Sequence, residues 1–418
     1  MSKYVIIGNG ISSIGCIEGI RSVDKTGSIT VIAKEKHMTY ARPLISYYLE
    51  GKTTLNKMKY RTNSFYKKNN VEVLLDSEVT KIDKKAKKVS FKSGSKRGSR
   101  SFEKLCICTG STPFVPPFKG LDTVENKHCF MTLDDTLGLE KSIDKNSRVL
   151  IIGAGLIGLK CAEGLAERVK SITVCDLADR VLSSILDIVP AKMMQNVLED
   201  AGIEFILSNS VAEFDGNVAT MNDGSTVEFD VLVLAVGVKA NTSLAEDIGC
   251  KVNRGILVDK HCMTSVKNIY SAGDGAEGYD LSLGDHRVLA ILPNAYFQGE
   301  CAGKNMAGEI LEFTKGIPMN SIGFFGLHSI SAGSYPTKEQ GATVFDETTS
   351  TSIKRFFVKD NKLVGYMLVG DTDRAGIFTS LIREETPLDS IDFETLMTTT
   401  SLGVFDEDTR AEKLGSRV

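Results

Sequence analysis

Residues 148–167 read RVLIIGAGLIGLKCAEGLAE, and this stretch decides the fold. An apolar run, Val149 to Ile152, enters a turn in which Gly153, Gly155 and Gly158 stand at G-x-G-x-x-G spacing, and an amphipathic helical pattern follows. A short continuous apolar run closed by glycine reads as a strand buried on both faces of a parallel sheet. The glycines answer three demands: a tight turn, a backbone close enough to meet a pyrophosphate, and a helix whose first N–H groups aim at phosphate charge. Working outward, SITVCDLADR at 171–180 supplies the next strand and ends it in Asp176, 18 residues after Gly158. That is close to the roughly 20-residue spacing at which an acid meets the ribose of a dinucleotide. A carboxylate there repels a 2′-phosphate, so NAD is expected over NADP.

A second unit of the same kind stands 145 residues earlier. YVIIGNGISSIGCIEGI at 4–20 gives a buried strand, Tyr4 to Ile7, then Gly8, Gly10 and Ser13 at the three fingerprint positions. SITVIAKEK at 28–36 offers Glu35 as the ribose acid, beside Lys34. Two such units in one chain rarely arise by accident, so two dinucleotide sites are expected. Three more segments share the habit of an apolar strand running into a glycine turn. FEKLCICTGSTPFVPP enters Thr109-Gly110-Ser111, VLVLAVGVKANTSL enters Gly237 and Asn241, and TSVKNIYSAGDGAE ends in Ala272-Gly273-Asp274.

Together these five ordered motifs resemble the pyridine nucleotide-disulfide oxidoreductase superfamily, flavoproteins with two dinucleotide-binding domains, over about three quarters of the chain. The resemblance implies an α/β fold of two Rossmann-like domains, one for FAD and one for NAD, plus a small α+β C-terminal domain. Its domains would be residues 1–115 with 240–318 for FAD, 116–239 for NAD, and 319–418 at the C-terminus. By the same resemblance Gly8, Gly10, Ser13, Glu35, Arg42, Pro43, Thr109, Gly110 and Asp274 bind FAD, while Gly153, Gly155, Gly158, Glu163, Asp176 and Gly237 bind NAD(H). No side chain is assigned to the chemical step, because a hydride passes between stacked nicotinamide and flavin rings and the protein supplies position and electrostatics. Departures from the pattern are Ser13 for glycine or alanine, Cys108 for alanine, Lys239-Ala240 for Arg-Pro, and Lys160 where relatives have a glutamate, which leaves Glu163 as the nearer acid.

Cysteine placement separates the branches. Thiol-dependent members keep a redox cysteine just ahead of a segment like Tyr48-Leu49-Glu50-Gly51; in MTYARPLISYYLEGK at 38–52 that position is Pro43. Arg42-Pro43 instead resembles flavoproteins that pass electrons to small iron proteins, such as NADH:rubredoxin reductases and the flavin part of nitrite reductases, although Tyr47 stands where some of them carry lysine. The implied activity is an FAD-dependent NADH oxidoreductase, without a redox-active cysteine, that exchanges electrons with an external rubredoxin, ferredoxin or other iron-sulfur partner. Two alternatives are compatible with the sequence: an NADH oxidase that uses O2 directly, and a non-catalytic FAD-binding subunit of a larger complex.

Composition bounds the rest. The chain has 418 residues, 42% of them hydrophobic, and no run of 18 apolar residues, so a membrane span and a cleaved signal are not expected and a cytoplasmic location is. Nine cysteines without C-x-x-C spacing disfavour a disulfide framework, an iron-sulfur centre or a zinc finger, and five scattered histidines show no metal-ligand spacing. Residues 1–110 carry 22 Lys plus Arg against 9 Asp plus Glu, while the other 308 carry 28 against 44. No nucleic-acid motif accompanies the basic half, so an acidic protein partner is expected, with Lys57, Lys59, Arg61, Lys67 and Lys68 lining its approach. The lysines of KIDKKAKKVSFKSGSKRGSR at 81–100 read as a solvated hairpin. A homodimer and a heteromeric complex are both compatible with the sequence. In the last hundred residues Asp360-Asn361 is expected to turn a hairpin, IFTSLIREETPL to form a helix, and DEDTRAEKLGSRV to be a loose tail.

Overall fold

Strand β1 (Tyr4–Ile7) is buried along its whole length and runs parallel to both of its neighbours in a five-stranded sheet. The computed structural model describes residues 2–62, 64–399 and 402–414. It divides into two units, Met1–Tyr279 with His286–Thr314, and Asp280–Asp285 with Lys315–Val418.

In the first unit, β1 leads through the glycine turn into α1 (Ile11–Val23), and the chain returns as β2 (Ile29–Ile32). Helices α2 (Leu44–Leu49) and α3 (Phe65–Lys68) precede β3 (Val71–Leu74). A three-stranded antiparallel layer follows, β4 (Glu78–Asp83), β5 (Lys88–Ser93) and β6 (Lys96–Ser101), turning at Gly94 as the Gly/Ser signal requires. Strand β7 (Lys104–Ile107) then rejoins the parallel sheet. β8 (Ser111–Pro113) leads out to β9 (Lys127–Cys129) and α4 (Leu133–Lys141).

The second fingerprint begins with β10 (Arg148–Ile152), α5 (Leu156–Leu165), β11 (Ser171–Cys175), α6 (Ile188–Asp200) and β12 (Ile203–Ile206). A small meander of β13 (Val211–Asp215), β14 (Val218–Met221) and β15 (Thr226–Glu228) precedes β16 (Val231–Leu234), and the second sheet takes the order β12-β11-β10-β16-β9, all parallel. β17 (Val238–Ala240) pairs antiparallel with β8, so the path out to this sheet and the path back run side by side. After α7 (Ser243–Glu246) and β18 (Ile256–Leu257), β19 (Ile269–Ser271) completes the first sheet in the order β19-β7-β1-β2-β3. β20 (Ala276–Asp280) and β21 (Asp285–Val288) join β18, and α8 (Leu292–Ala307) packs on α1.

The α1–α8 contact depends on four small residues that the fingerprint does not explain. A Cβ added at Gly15 would lie 2.2 Å from the carbonyl oxygen of Tyr296, and one at Gly19 2.4 Å from that of Glu300. From the other side, Gly299 would meet the Ser12 carbonyl at 2.0 Å and Gly303 that of Cys16 at 2.2 Å. Two G-x-x-x-G pairs therefore let the helix backbones touch.

In the second unit β22 (Met319–Phe324), β23 (Leu327–Gly333), β24 (Thr343–Thr348), β25 (Ile353–Lys359) and β26 (Lys362–Val369) form one antiparallel sheet ordered β22-β23-β26-β25-β24. Asp360 and Asn361 both have positive φ, 50° and 59°, in the turn between β25 and β26, as a two-residue hairpin requires. Helix α9 (Ala375–Glu384) covers the sheet through Phe378, Leu381 and Ile382, and α10 (Phe393–Thr399) adds Phe393 and Leu396 to the same core. The expected loose tail is corrected over most of its length: Glu407–Leu414 is a helix, α11, with Glu407 and Asp408 in its first turn, where acids complement the helix dipole. Residues 415–418 of that stretch lie outside the described residues.

Candidate functional site

The two glycine turns share one geometry. Gly8 and Gly153 adopt φ of +105° and +113°, and added Cβ atoms would sit 2.1 Å from the Cys108 carbonyl oxygen and 2.3 Å from that of Ala235, so only glycine fits. Gly10 and Gly155, by contrast, have nothing within 4 Å of an added Cβ: they border open space. Each is also the N-cap of its helix, with no side-chain cap, so the first N–H groups of α1 and α5 are left for an outside acceptor. At the third positions, a Cβ on Gly158 would come 2.0 Å from the Gly153 carbonyl oxygen, whereas the Ser13 hydroxyl donates to the Gly8 carbonyl at 2.8 Å. Serine thus closes the first turn by a hydrogen bond instead of by close packing. The Asn9 side-chain amide nitrogen is buried beside this turn with no partner, while its Oδ1 accepts from the Tyr66 hydroxyl at 2.8 Å. Unmet donors and open backbone fit an anionic dinucleotide.

Around the first turn the structure gathers the segments expected to hold the flavin. Glu35, just past β2, accepts from the Tyr40 hydroxyl at 2.8 Å and pairs with Arg42, and Arg42 also donates to the Met131 carbonyl at 3.2 Å. Lys34 turns away to pair with Glu78 at 2.9 Å. Pro43 is the N-cap of α2. Burial raises the Asp274 carboxyl above its ordinary value, and the nearby Arg42 guanidinium opposes that shift. The turn carrying Asp274 is pinned from three sides. The Gly273 N–H donates to buried Gln298 Oε1 at 2.9 Å, an added Gly273 Cβ would be 2.9 Å from Ser12 Oγ, and one at Gly275 would be 3.1 Å from the Gly110 carbonyl oxygen. Thr109 and Gly110 are themselves clamped by Asn241, whose N–H donates to Gly110 O at 2.9 Å and whose Nδ2 donates to Thr109 O at 2.9 Å. Asn9 and Gln298 were not singled out by sequence: an asparagine in a loop and a glutamine in a helix carry no pattern until the backbone places them.

In the second site Asp176 follows β11, and its carboxylate accepts from Ala154 N at 2.7 Å and Ala178 N at 2.8 Å, which seats it against the glycine turn. Gly237, with φ +117°, has open space about it. Glu163 does not stand alone: Lys160 Nζ lies 2.5 Å from its carboxylate and 5.5 Å from the centre of the Tyr47 ring on α2. α2 and α5 are in direct contact there, since an added Cβ on Gly164 would be 3.1 Å from the Ser46 carbonyl oxygen. Segments from the two nucleotide-binding halves therefore meet.

Eight of the nine cysteines are buried and Cys129 is half-buried. Burial pushes the Cys161 thiol up and that of Cys175 to about 12. Cys106 on β7 and Cys108 just past it sit 3.5 Å apart at sulfur, and the hydrogen bond to its neighbour together with burial drives the Cys108 thiol well above its usual range. Among the described residues, no group of three or more His, Cys, Asp or Glu side chains is arranged to hold a metal, and no helix is long and apolar enough to cross a membrane. Of the basic residues expected to face a partner, Arg61 is spent on Glu18, with bonds of 2.9 and 3.0 Å, whereas Lys57, Lys59, Lys67 and Lys68 are exposed.

Comparison with known proteins agrees with this geometry. Residues 2–299 match the pyridine nucleotide-disulphide oxidoreductase family, and residues 318–386 match the rubredoxin NAD+ reductase C-terminal domain. The chain is 31% identical to the NADH-dependent phenylglyoxylate dehydrogenase subunit epsilon of Aromatoleum evansii over 93% of each chain. It is also 31% identical to an NADH oxidase of Methanocaldococcus jannaschii, over 88% of this chain and 87% of that one. Two Bacillus subtilis relatives are longer, and the chain spans about half of each, 47% and 49%. Among solved structures, an NAD-dependent persulfide reductase from A. fulgidus superposes with a TM-score of 0.85 at 26% identity, covering 93% of this chain and 78% of that one. With both glycine turns, the paired parallel sheets and the C-terminal sheet in place, the chain belongs to the pyridine nucleotide-disulphide oxidoreductase family and is an NAD(H)-dependent oxidoreductase that uses a flavin.

Proposed function

We propose that the flavin is FAD and that the protein is an NADH-dependent reductase of a small iron-sulfur or rubredoxin-type carrier in the cytoplasm. In this reading residues 1–115 and 240–318 form the FAD domain, 116–239 the NAD domain and 319–418 the C-terminal domain. Gly8, Gly10, Ser13 and the N–H groups opening α1 receive the FAD pyrophosphate. Arg42, with Pro43 fixing the start of α2, and Asp274, on the turn beside Thr109 and Gly110, fix the middle of the cofactor, and Glu35 acts through the Arg42 guanidinium it holds. Gly153, Gly155 and Gly158 receive NAD(H), Asp176 accepts from its ribose, and Glu163 and Gly237 border its nicotinamide end. FAD held by these residues would supply two-electron acceptance from NADH and one-electron release, for a balance in which NADH and two oxidised carriers give NAD+, a proton and two reduced carriers. The chain's own part is to hold the two rings together and to keep water out.

The observation that carries this reading is the contact of α2 with α5, because it brings an Arg-Pro segment beside the first glycine turn against the helix of the second. Pro43 in place of a thiol, and cysteines that are mostly buried elsewhere, support export of electrons rather than storage on sulfur. The test is to identify the released flavin by mass, reduce the protein with NADH without oxygen, and then offer rubredoxin, a ferredoxin and O2 separately. FAD with fast reoxidation by an iron protein is the expected result. Fast reoxidation by O2 alone would assign an oxidase, and a flavin that NADH does not bleach would assign a non-catalytic subunit.

A further inference from the structure

The cations of the basic half are not equivalent once their partners are known. Lys3 pairs with Asp24, Lys34 and Lys92 with Glu78, Lys36 with Asp134, Lys52 with Glu50, Arg61 with Glu18, and Arg100 with Glu72. Among the described residues, Lys57, Lys59, Lys67 and Lys68 have no carboxylate partner, although all are exposed.

Two of these four occupy a distinctive place. Residues 58–60 run antiparallel to residues 39–41: the Ala41 N–H donates to Met58 O at 2.9 Å, the Tyr60 N–H donates to Thr39 O at 3.0 Å, and Tyr40 stands opposite Lys59. Met58 is 1% exposed, whereas Lys59, at the bridge to Tyr40, and Lys57, in the turn whose N–H bonds back to the Thr54 carbonyl, are both exposed. The partner segment is the one that continues into Arg42 and Pro43, next to Asp274. The two lysines are therefore fixed to the backbone that supports the proposed flavin site. They are not carried on a free loop. Leu55, two residues before Lys57, is 45% exposed, and Met38, next to Thr39 of the partner segment, is 43% exposed. Exposed apolar side chains among unpaired cations are the composition of a transient docking face.

We infer that the ladder bearing Lys57 and Lys59, with Leu55 and Met38, is where a small acidic electron carrier docks. This rests on the carrier-reductase reading above. The occupant follows from charge. Uncompensated lysines beside the flavin segment favour a partner whose surface around its own redox centre is rich in Asp and Glu. Docking there would seat the carrier on the segment contiguous with Arg42, which the proposed function places at the flavin cofactor. The hairpin lysines, such as Lys85 and Lys88 at the β4–β5 turn, also lack acid partners among the described residues, but they belong to a separate sheet and serve as an internal control of equal charge.

The test uses the full-length flavin-loaded protein, an acidic rubredoxin as probe and a basic cytochrome c as the opposite-sign control. Lys57→Glu with Lys59→Glu is compared with Lys85→Glu with Lys88→Glu, which changes the net charge by the same amount. At low salt the ladder variant is expected to reduce rubredoxin at least about tenfold more slowly, within the range of electrostatic steering, and the hairpin variant less than about threefold. The difference should close as salt shortens the screening length to a few ångströms. Bleaching of the flavin by NADH should be unchanged in both variants, and reduction of cytochrome c should not fall. Equal slowing in both variants would mean that net charge, not this face, governs encounter, and no slowing would remove the face altogether; either result overturns the inference. Failure of the unmutated protein to reduce rubredoxin would instead refute the carrier-reductase reading, so the two failures are distinguishable.

Discussion

Replacing Gly8 and Gly10 by alanine, one at a time, should have opposite consequences for folding and for cofactor binding. At Gly8 the φ of +105° is one that an L side chain rarely adopts, and the added Cβ would lie 2.1 Å from the carbonyl oxygen of Cys108, just past the neighbouring strand β7. The left-handed backbone costs about 1–2 kcal/mol, and separating two packed strands to make room costs about 1–3 kcal/mol more. Gly8→Ala is therefore expected to destabilise the apo-protein by about 2–5 kcal/mol in total. Gly10 has φ −90° and ψ −166°, extended backbone open to any residue, and nothing within 4 Å of its Cβ position. Gly10→Ala should leave apo stability unchanged or raise it by about 0.4–1 kcal/mol, because the unfolded chain loses freedom. The same methyl group would occupy the space where a pyrophosphate approaches, so FAD affinity should fall at least about tenfold, or 1.4 kcal/mol. Urea unfolding of the apo-proteins at constant m-value reads the first quantity, and titration with FAD reads the second. A Gly10→Ala protein that binds FAD normally would place the pyrophosphate elsewhere, and a Gly8→Ala protein as stable as its parent would refute the turn geometry.

Other consequences follow from the same structure. Asp176 should favour NADH over NADPH by about 1–3 kcal/mol, roughly 5- to 150-fold in kcat/KM, and Asp176→Ser with Leu177→Arg should erode that preference; equal efficiency in the parent would refute the role of Asp176. Because burial raises the Asp274 carboxyl, the folded apo-protein holds that proton to higher pH than the unfolded chain does. Its contribution therefore turns against folding as pH climbs from the ordinary Asp range through the raised one. Asp274→Asn should then give an apo-protein more stable than the parent at pH 7 but flatten its loss of stability over that acidic window, while FAD binding weakens about tenfold or more for the lost charged acceptor. Unfolding curves from pH 4 to 7 check both signs. Thiol alkylation of the native protein should reach Cys129 alone within minutes, as the one cysteine that is not buried, and leave reduction by NADH intact; loss of activity in step with labelling would expose a working thiol.

How far the sequence could be read varied with the kind of signal. Glycine fingerprints are local and sterically forced, so Gly8, Gly153 and the strands before them are legible from spacing alone, as is the Asp360-Asn361 turn. The four glycines between α1 and α8 were visible as letters, yet their meaning depends on which two helices meet across nearly 300 residues. Buried polar anchors such as Gln298 and Asn9 carry no periodicity, and their roles appear only when the Gly273 turn and the Gly8 turn converge on them. Charge counting found the basic half but could not sort it. Arg61 has the same charge and neighbourhood as the docking lysines in sequence, and only the fold brings Glu18, on α1, against it. Polarity alone argues for a loose terminal stretch, but Glu407 and Asp408 in the first turn favour a helix there.

In the proposed function electrons pass from NADH to one flavin and then out of the protein, with no thiol couple between. Anaerobic titration with NADH, followed by absorbance and by a count of free thiols, separates this route from one through sulfur. One NADH should fully bleach each flavin with all nine thiols unchanged, and subsequent addition of oxidised rubredoxin should recover two reduced carriers per flavin. A requirement for two NADH per flavin, with thiols appearing as the second equivalent is consumed, would instead place a disulfide couple between NADH and the carrier.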